Sequence, residues 1–422
     1  MSRDDAARTG RTRRDCLRYG GAVAGGGLLA GCTGSTGSGG GSPPPDTGTA
    51  TETEQPDHTA TATETGESEG TPAEDRSYEV CMKPNGCHSL GSVPERFVVY
   101  HQGPVDMMIS LGQFDGLVAS GFPSTFPTQY FDQIPDVSVD MGDVTALSED
   151  GTPDKELFYE LDVDVHLIGH HPAMEYFELE EADLAELEGN VAPFHGSWMR
   201  RPDYTDGHPY YGLYEGLDSY AEVFRTRNRG DAFRTLHDEL VSDLTARLPP
   251  VEERPRIAYL NTNYWDDGKT VFVRDPTVPG YQTKPLRDLE LPNHDAFAGQ
   301  YPEGSNLIKG DYELLLDVDP DAIVYHAGMN VLRDPEKSFR SDILDPLLDD
   351  PVASEVTAIA EGRVYPFHEF EQGPVMNLFN IELLAKALYP ERFGEPTGME
   401  APPEEARLFD RQRVADIING DT

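Results

Sequence analysis

Between residues 212 and 248 the apolar side chains fall three and four positions apart: Leu217, Tyr220, Val223, Phe224, Phe233, Leu236, Leu240, Leu244 and Leu248. That spacing predicts helix, and Pro249-Pro250 ends it. A helix of about 35 residues spans roughly 50 Å at 1.5 Å per residue, enough to cross from one lobe to another. The plainer alternative is two helices around Gly230. On both sides of this stretch one grammar recurs, a short β-branched strand, a polar loop, a helix and another strand. Strands are expected at 97–100, 117–119, 163–168 and 191–194, then at 256–260, 322–325 and 364–367. Helices are expected at 104–111, 154–161 and 180–187, then at 282–289, 312–316, 343–360, 375–388 and within 402–419. Strands alternating with helices imply a parallel sheet in each half.

The chain ahead of these elements reads as an address and a tether. Thr12-Arg13-Arg14-Asp15-Cys16-Leu17-Arg18 precedes a small, Gly-rich apolar run at 20–30, too short to remain as a membrane span. Paired Arg before a weakly apolar run resembles a twin-arginine export signal, with Cys16 where Phe is common. Leu29-Ala30-Gly31-Cys32 looks like a lipobox, which makes Cys32 the lipidated residue of a membrane-anchored protein. Residues 1–31 are then a signal peptide. Residues 32–76, nearly all Gly, Ser, Thr, Pro, Asp and Glu, cannot bury enough surface to order themselves and form a tether.

Charge sets the setting. There are 76 acidic against 33 basic residues, for a formal net charge of -43. The acid runs through the patterned segments, so strong salt is the expected environment, because it screens the self-repulsion. Nucleic acid is excluded as a partner, since its phosphates would be repelled almost everywhere. Outside the signal, Cys81 and Cys87 flank a Pro84-Asn85-Gly86 turn, and a local disulfide is the expected state. Free or redox-active thiols, or a metal held with His88, are the alternatives.

Several phrases carry a family likeness. Ser92-Val93-Pro94-Glu95-Arg96 leads into the strand Phe97-Val98-Val99-Tyr100, and Val105-Asp106-Met107-Met108-Ile109-Ser110-Leu111-Gly112 follows as a first helix. Leu161-Asp162-Val163-Asp164 and Leu316-Asp317-Val318-Asp319-Pro320-Asp321 are two copies of one strand-opening signature, with Val163 where Pro is usual. Val364-Tyr365 precedes a helix ending in Leu388-Tyr389-Pro390-Glu391. Over about 92–395 the chain resembles the type III periplasmic-binding-protein family, the substrate-binding lipoproteins of ABC importers for ferric siderophores and cobalamin, here of haloarchaeal character. The resemblance implies an α/β fold of two Rossmann-like lobes joined by a single long α-helix, with lobes at 77–211 and 249–422 and the linker at 212–248. It implies a monomer on the outer face of the membrane that is not an enzyme and has no intrinsic cofactor. Its ligand would be an iron chelate or a corrinoid, and its partners the permease and ATPase. The family docks each lobe on the permease through one carboxylate, and the matching positions are Glu156 and Glu313.

In open α/β sheets ligands sit beyond the carboxyl ends of strands. In the first half that rule selects the loops 101–103, 121–126, 170–171 and 195–211, with His101, His170, His171, His195, Trp198, Arg200, Arg201, Tyr210 and Tyr211 as candidate contacts. In the second it selects the loops 261–266, 326–330 and 368–372, with Tyr264, Trp265, His326 and His368. Aromatics give broad rigid contact and Arg gives planar donors for chelate oxygens. The same histidines, with His208, would serve a zinc or manganese receptor, and a haem receptor with a Tyr ligand is a further alternative. A metal-dependent hydrolase is disfavoured, because the chain has neither a His-Glu-x-x-His helix nor a Gly-x-Ser-x-Gly elbow.

Overall fold

The chain enters its folded body through an antiparallel hairpin, β1 (Tyr78–Met82) and β2 (Gly86–Leu90), in which Cys81 lies directly opposite Cys87. The computed structural model describes residues 77–148, 155–199, 209–262, 269–326, 337–367, 371–397 and 401–421. The expected signal peptide and tether, with Cys32, lie outside the described residues, as do Arg200, Arg201, His208, Tyr264, Trp265 and His368. No described helix is long and apolar enough to cross a membrane.

The first lobe runs β3 (Phe97–Val99), α1 (Gln102–Ser110), β4 (Leu117–Ser120), β5 (Thr145–Ala146), α2 (Lys155–Glu160), β6 (Val165–Leu167), α3 (His170–Phe177) and α4 (Glu181–Asn190). Its sheet has the order β5-β4-β3-β6 with every pair parallel. β3 is buried throughout, as an apolar run must be when helices cover both faces of a parallel sheet. The strand expected at 191–194 is reduced to a bridge between His166 and Phe194. Pro193 has no N–H to give a ladder, so only its carbonyl is used, by the amide of His166.

The linker is not one unbroken helix. α5 (Leu213–Val223) and α6 (Arg227–Arg247) are separated by Phe224, Arg225 and Thr226. Arg225 takes φ 55° and the amide of Thr226 returns to the carbonyl of Ala221 at 2.8 Å, a Schellman ending that glycine usually makes. Arg225 is held there by the hairpin: its guanidinium lies 4.0 Å from the centre of the Tyr78 ring, and the Tyr78 hydroxyl donates to the carbonyl of Val223. Gly230 sits inside α6, where a Cβ would lie 3.6 Å from Ala221. It is a packing contact between the two helices rather than a break. α6 alone is the long linking helix, about 31 Å at 1.5 Å per residue.

The second lobe continues with β7 (Ile257–Thr262), β8 (Val271–Arg274), α7 (Lys284–Asp288), β9 (Leu307–Gly310), α8 (Tyr312–Val318), β10 (Ala322–His326), α9 (Asp345–Asp349), α10 (Thr357–Ala360) and β11 (Val364–Phe367). α11 (Pro374–Leu388), α12 (Pro390–Phe393) and α13 (Arg411–Asn419) close the chain. This sheet is mixed rather than parallel. In the order β11-β10-β7-β8-β9, the first three strands run parallel, and β8 and β9 form an antiparallel edge. The helix expected over 343–360 is broken as well. Pro351 lacks a donor, and the Asp350 carboxylate caps the amides of Val352 and Ala353 at 2.9 and 3.1 Å.

The two copies of the aspartate signature close their lobes in the same way. Asp162 and Asp319 end α2 and α8 at φ 49° and 45°, a left-handed turn that Asp tolerates better than most residues. Two residues on, Asp164 accepts the amides of Glu95 and Arg96 at 2.8 and 2.9 Å, while Asp321 accepts the amide of Arg256 at 2.8 Å. Arg96 and Arg256 reciprocate by donating to the carbonyls of Leu161 and Val318, each at 2.8 Å. Each clasp sets the register of the strands that follow, Phe97 opposite Val165 and Ile257 opposite Ala322.

The lobes meet through α1 and α11. Asp106, wholly buried on α1, accepts the amides of Gly373, Val375 and Met376 at 2.9, 3.2 and 2.9 Å. A residue of the first lobe thereby caps the first turn of a helix of the second. The approach leaves no room for side chains: a Cβ at Gly103 would lie 3.0 Å from the Gln372 carbonyl oxygen, and one at Gly373 would lie 2.7 Å from Asp106. Phe97, Val105, Leu236, Tyr259, Val324, Val375 and Ile417 share one continuous core, and each sheet keeps a smaller core on its other face.

Candidate ligand-binding site

The carboxyl ends of β3 and β6, with α3 and the segment after Phe194, bring rings together. Tyr176 stacks on Trp198 at 5.5 Å between centroids and on Tyr100 at 5.1 Å. His101 sets its ring edge-on to Trp198 at 4.9 Å and to Tyr100 at 4.5 Å. Phe122, one of four large apolar residues left exposed among the described residues, lies 5.7 Å from Tyr100 at the outer side of the group. His171, 6.1 Å from Trp198, borders it and pairs with Glu175 at 3.5 Å.

One contact makes this cluster a two-lobe feature. His101 Nδ1 lies 2.8 Å from Oε1 of Glu371, a carboxylate that is 6% exposed and stands between β11 and α11. A carboxylate on one ring nitrogen fixes the orientation of the imidazole. Trp198 is only 4% exposed, so the aromatic wall is set before any ligand arrives.

The remaining expected contacts divide. His170 opens α3 but turns to Glu188 on α4, 2.9 Å away. His195 is fully buried, and burial, with His88 beside it, pushes its imidazole down to about 4. His326 is 2% exposed and its Nδ1 lies 2.6 Å from the Tyr259 hydroxyl. Both lie in the core, His326 as the last residue of β10 and His195 just after the His166–Phe194 bridge. Tyr211 accepts the amide of Lys83 at 3.0 Å. Tyr210 is half-buried, and desolvation, partly offset by Arg287, pushes its phenol up to about 12. Arg200, Arg201, Tyr264, Trp265 and His368 lie outside the described residues. Glu156 and Glu313 are exposed in the first turns of α2 and α8.

Cys81 and Cys87 form a disulfide. His88 follows Cys87 in the strand and so points to the other face, where its ring meets His195 at 6.0 Å. The alternative of a shared metal among Cys81, Cys87 and His88 is therefore set aside. Among the described residues, the one trio of possible ligands within reach of a single ion is Glu79 with the two bonded cysteines. Histidines 170, 171, 195 and 326 each face a different partner. A hollow on α6, lined by Thr235, Asp238, Glu239, Ser242 and Asp243, is lined by carboxylates and hydroxyls and holds none of the aromatic chemistry.

Tyr100 and Tyr176 were not among the residues expected at the site, whereas Phe122 and Glu371 lie in the expected strand-end loops 121–126 and 368–372 without having been singled out. Tyr100 reads as the last residue of a strand. Tyr176 lies on a helix that the sequence does not announce, because its first residues, His170-His171-Pro172, read as loop.

No family model matches this chain, and no curated protein does. Solved structures do. A periplasmic binding protein from Veillonella parvula superposes with a TM-score of 0.53 at 16% identity, covering 74% of this chain and 97% of that one. The iron uptake ABC transporter substrate-binding protein PiuA from Streptococcus pneumoniae gives 0.52 at 16%, covering 74% and 99%. The petrobactin-binding protein YclQ from Bacillus subtilis gives 0.52 at 15%, covering 77% and 99%. The fold is that of a type III periplasmic binding protein. In such a fold the Tyr100–Tyr176–Trp198 wall stands where strands of the first lobe end and the second lobe touches them.

Proposed function

We propose that this protein is the substrate-binding component of an ABC importer and captures a metal chelate, an iron siderophore or a corrinoid, for delivery to a membrane permease. The observation that carries the reading is the preformed aromatic wall of Tyr100, Tyr176 and Trp198, tied to the second lobe by the His101–Glu371 contact. The half-buried Tyr176 and His101 and the exposed Phe122 present apolar surface at small entropic cost, backed by the buried Tyr100 and Trp198, which suits a bulky chelate. Iron uptake and petrobactin binding by structural neighbours agree with this reading. The address at 1–32 and the tether fit a lipid-anchored receptor exported by the twin-arginine route and working at the outer cell surface as a monomer in strong salt. The zinc and manganese alternative has less support, because the described histidines are dispersed. Haem remains compatible with the aromatic wall.

Titration of the purified protein in molar salt with a ferric trihydroxamate, ferric citrate, a corrinoid and haem, followed by visible absorption and native mass spectrometry, tests the proposal. One of these classes is expected to bind at micromolar concentration or below. Trp198→Ala is expected to weaken that binding about fivefold or more, since one stacked ring contributes on the order of 1 kcal/mol beyond its burial. Binding of none of the four, or binding indifferent to Trp198→Ala, overturns it.

A further inference from the structure

α3 carries His171 and Tyr176 to the aromatic wall, yet its own N-cap residue is Gly169, which has no side chain to cap with. A helix start leaves amides without intrahelical partners, and here the hairpin supplies one. Asn85, at the tip between β1 and β2, accepts the amide of His170 on its Oδ1 at 3.3 Å. Its Nδ2 donates to the carbonyls of Ile168 at 3.3 Å and Phe194 at 2.9 Å. One side-chain amide thus satisfies three backbone groups from two segments, the one that leads into α3 and the one that leads to Trp198. An isolated two-stranded hairpin is marginal in water, but the tip is closed by the Cys81–Cys87 disulfide across a directly opposed pair. Gly86, at φ 90°, completes the turn where an L side chain would be strained.

We propose that Asn85 is a positioning residue for the ligand site and that the disulfide acts through it, so that the oxidised hairpin holds α3 and the 194–198 segment in the geometry that stacks Tyr176 on Trp198. This deepens the binding reading and rests on it for its affinity arm only. Opening the disulfide releases the tip, leaves α3 without its cap in trans, and lets the stack drift. The site would then lose affinity in a reducing medium, while the body, whose core does not include Asn85, stays folded.

The test compares Asn85→Ala, Asn85→Asp, Cys81→Ser with Cys87→Ser, and the triple combination. Amide hydrogen exchange without any ligand is expected to rise at least about tenfold at 168–171 and 194–199 and to stay unchanged in α6 and α11. The near-UV circular dichroism of the Tyr176–Trp198 stack is expected to fall in parallel. Asn85→Asp is expected to be as damaging as Asn85→Ala, because a carboxylate can still accept from His170 but faces two carbonyl oxygens. Affinity for whichever of the four probes binds the unaltered protein is expected to drop about tenfold, with Asn85→Ala and the cysteine pair non-additive, the signature of a shared pathway. Unchanged exchange at both segments in Asn85→Ala overturns the proposal, and so does full additivity. Failure of every probe to bind the unaltered protein sinks the receptor reading alone and leaves the exchange result to decide this one.

Discussion

Alanine at both Glu156 and Glu313 is expected to abolish uptake while leaving ligand affinity unchanged. Each residue is exposed in the first turn of a short helix, and each stands eight positions ahead of the aspartate that clasps its lobe, Asp164 and Asp321. The clasps are equivalent in geometry, so the two carboxylates occupy equivalent places on the two lobes. Among 76 acidic residues, that symmetry is what separates them from the background. The neighbouring Lys155 is engaged by Asp183 and Glu186 at 2.9 and 3.0 Å. A carboxylate meeting an Arg pocket contributes about 1.5 kcal/mol through a charge-assisted hydrogen bond, and two of them set uptake back on the order of 100-fold. Transport of the binding probe into vesicles carrying the permease, beside calorimetric affinity of the free receptor, reads the two effects separately. Undiminished transport by the double variant refutes the docking role.

The second large effect lies at the junction of the lobes. Asp106→Ala strands three buried amides of α11, and with each left unpaired at about 1 kcal/mol or more the variant is expected to lose about 3 kcal/mol of stability. The exposed Asp115→Ala serves as the control and is expected to stay within about 0.5 kcal/mol of the parent. Urea denaturation in molar salt measures both, and a loss at Asp106 no larger than at Asp115 removes the capping role. The same carboxyl has a pH signature. Burial pushes it up to about 7 against the pull of the amides and Ser110. The folded chain then holds a proton that the unfolded chain releases near the ordinary carboxylate value. Stability tied to this group is full below about 4 and is lost as pH rises toward 7. Asp106→Asn is expected to flatten that part of the stability profile, and a slope unchanged in Asp106→Asn would show that another group causes it.

The α/β architecture was legible from the alternation of strand and helix patterns, and the two signature turns from their repeated wording in the chain. Asp162 and Asp319 at left-handed positions are local features, whereas Asp164 and Asp321 reach amides leading into strands that open far earlier in the chain. The features that escaped depend on contacts across long stretches of chain. Arg225 ends α5 in a conformation that glycine usually takes, five residues before Gly230, because Tyr78, far away in sequence, supports it. β8 and β9 turn the second sheet mixed through an edge whose pairing no periodicity encodes. α3 begins on His170-His171-Pro172, which reads as loop until Asn85 supplies the missing cap. For the site, His101, His171, Trp198 and the loops that carry Phe122 and Glu371 follow from the strand-end rule, whereas the pairing of Glu371 with His101 is made by tertiary approach. His195 and His326 obey the same rule and still point inward, since the rule locates a loop and not the direction of a side chain.

The seam between α1 and α11 has an effect on traffic. With Gly103 and Gly373 pressed against opposing backbone and Asp106 spanning the gap, the halves have little freedom to swing, so under the docking proposal vacant and laden copies would present Glu156 and Glu313 at nearly the same spacing. A gatekeeper that measures only this stride accepts either. Cells crowded with idle receptors would then import more slowly, because copies carrying nothing queue at the same door as those with cargo.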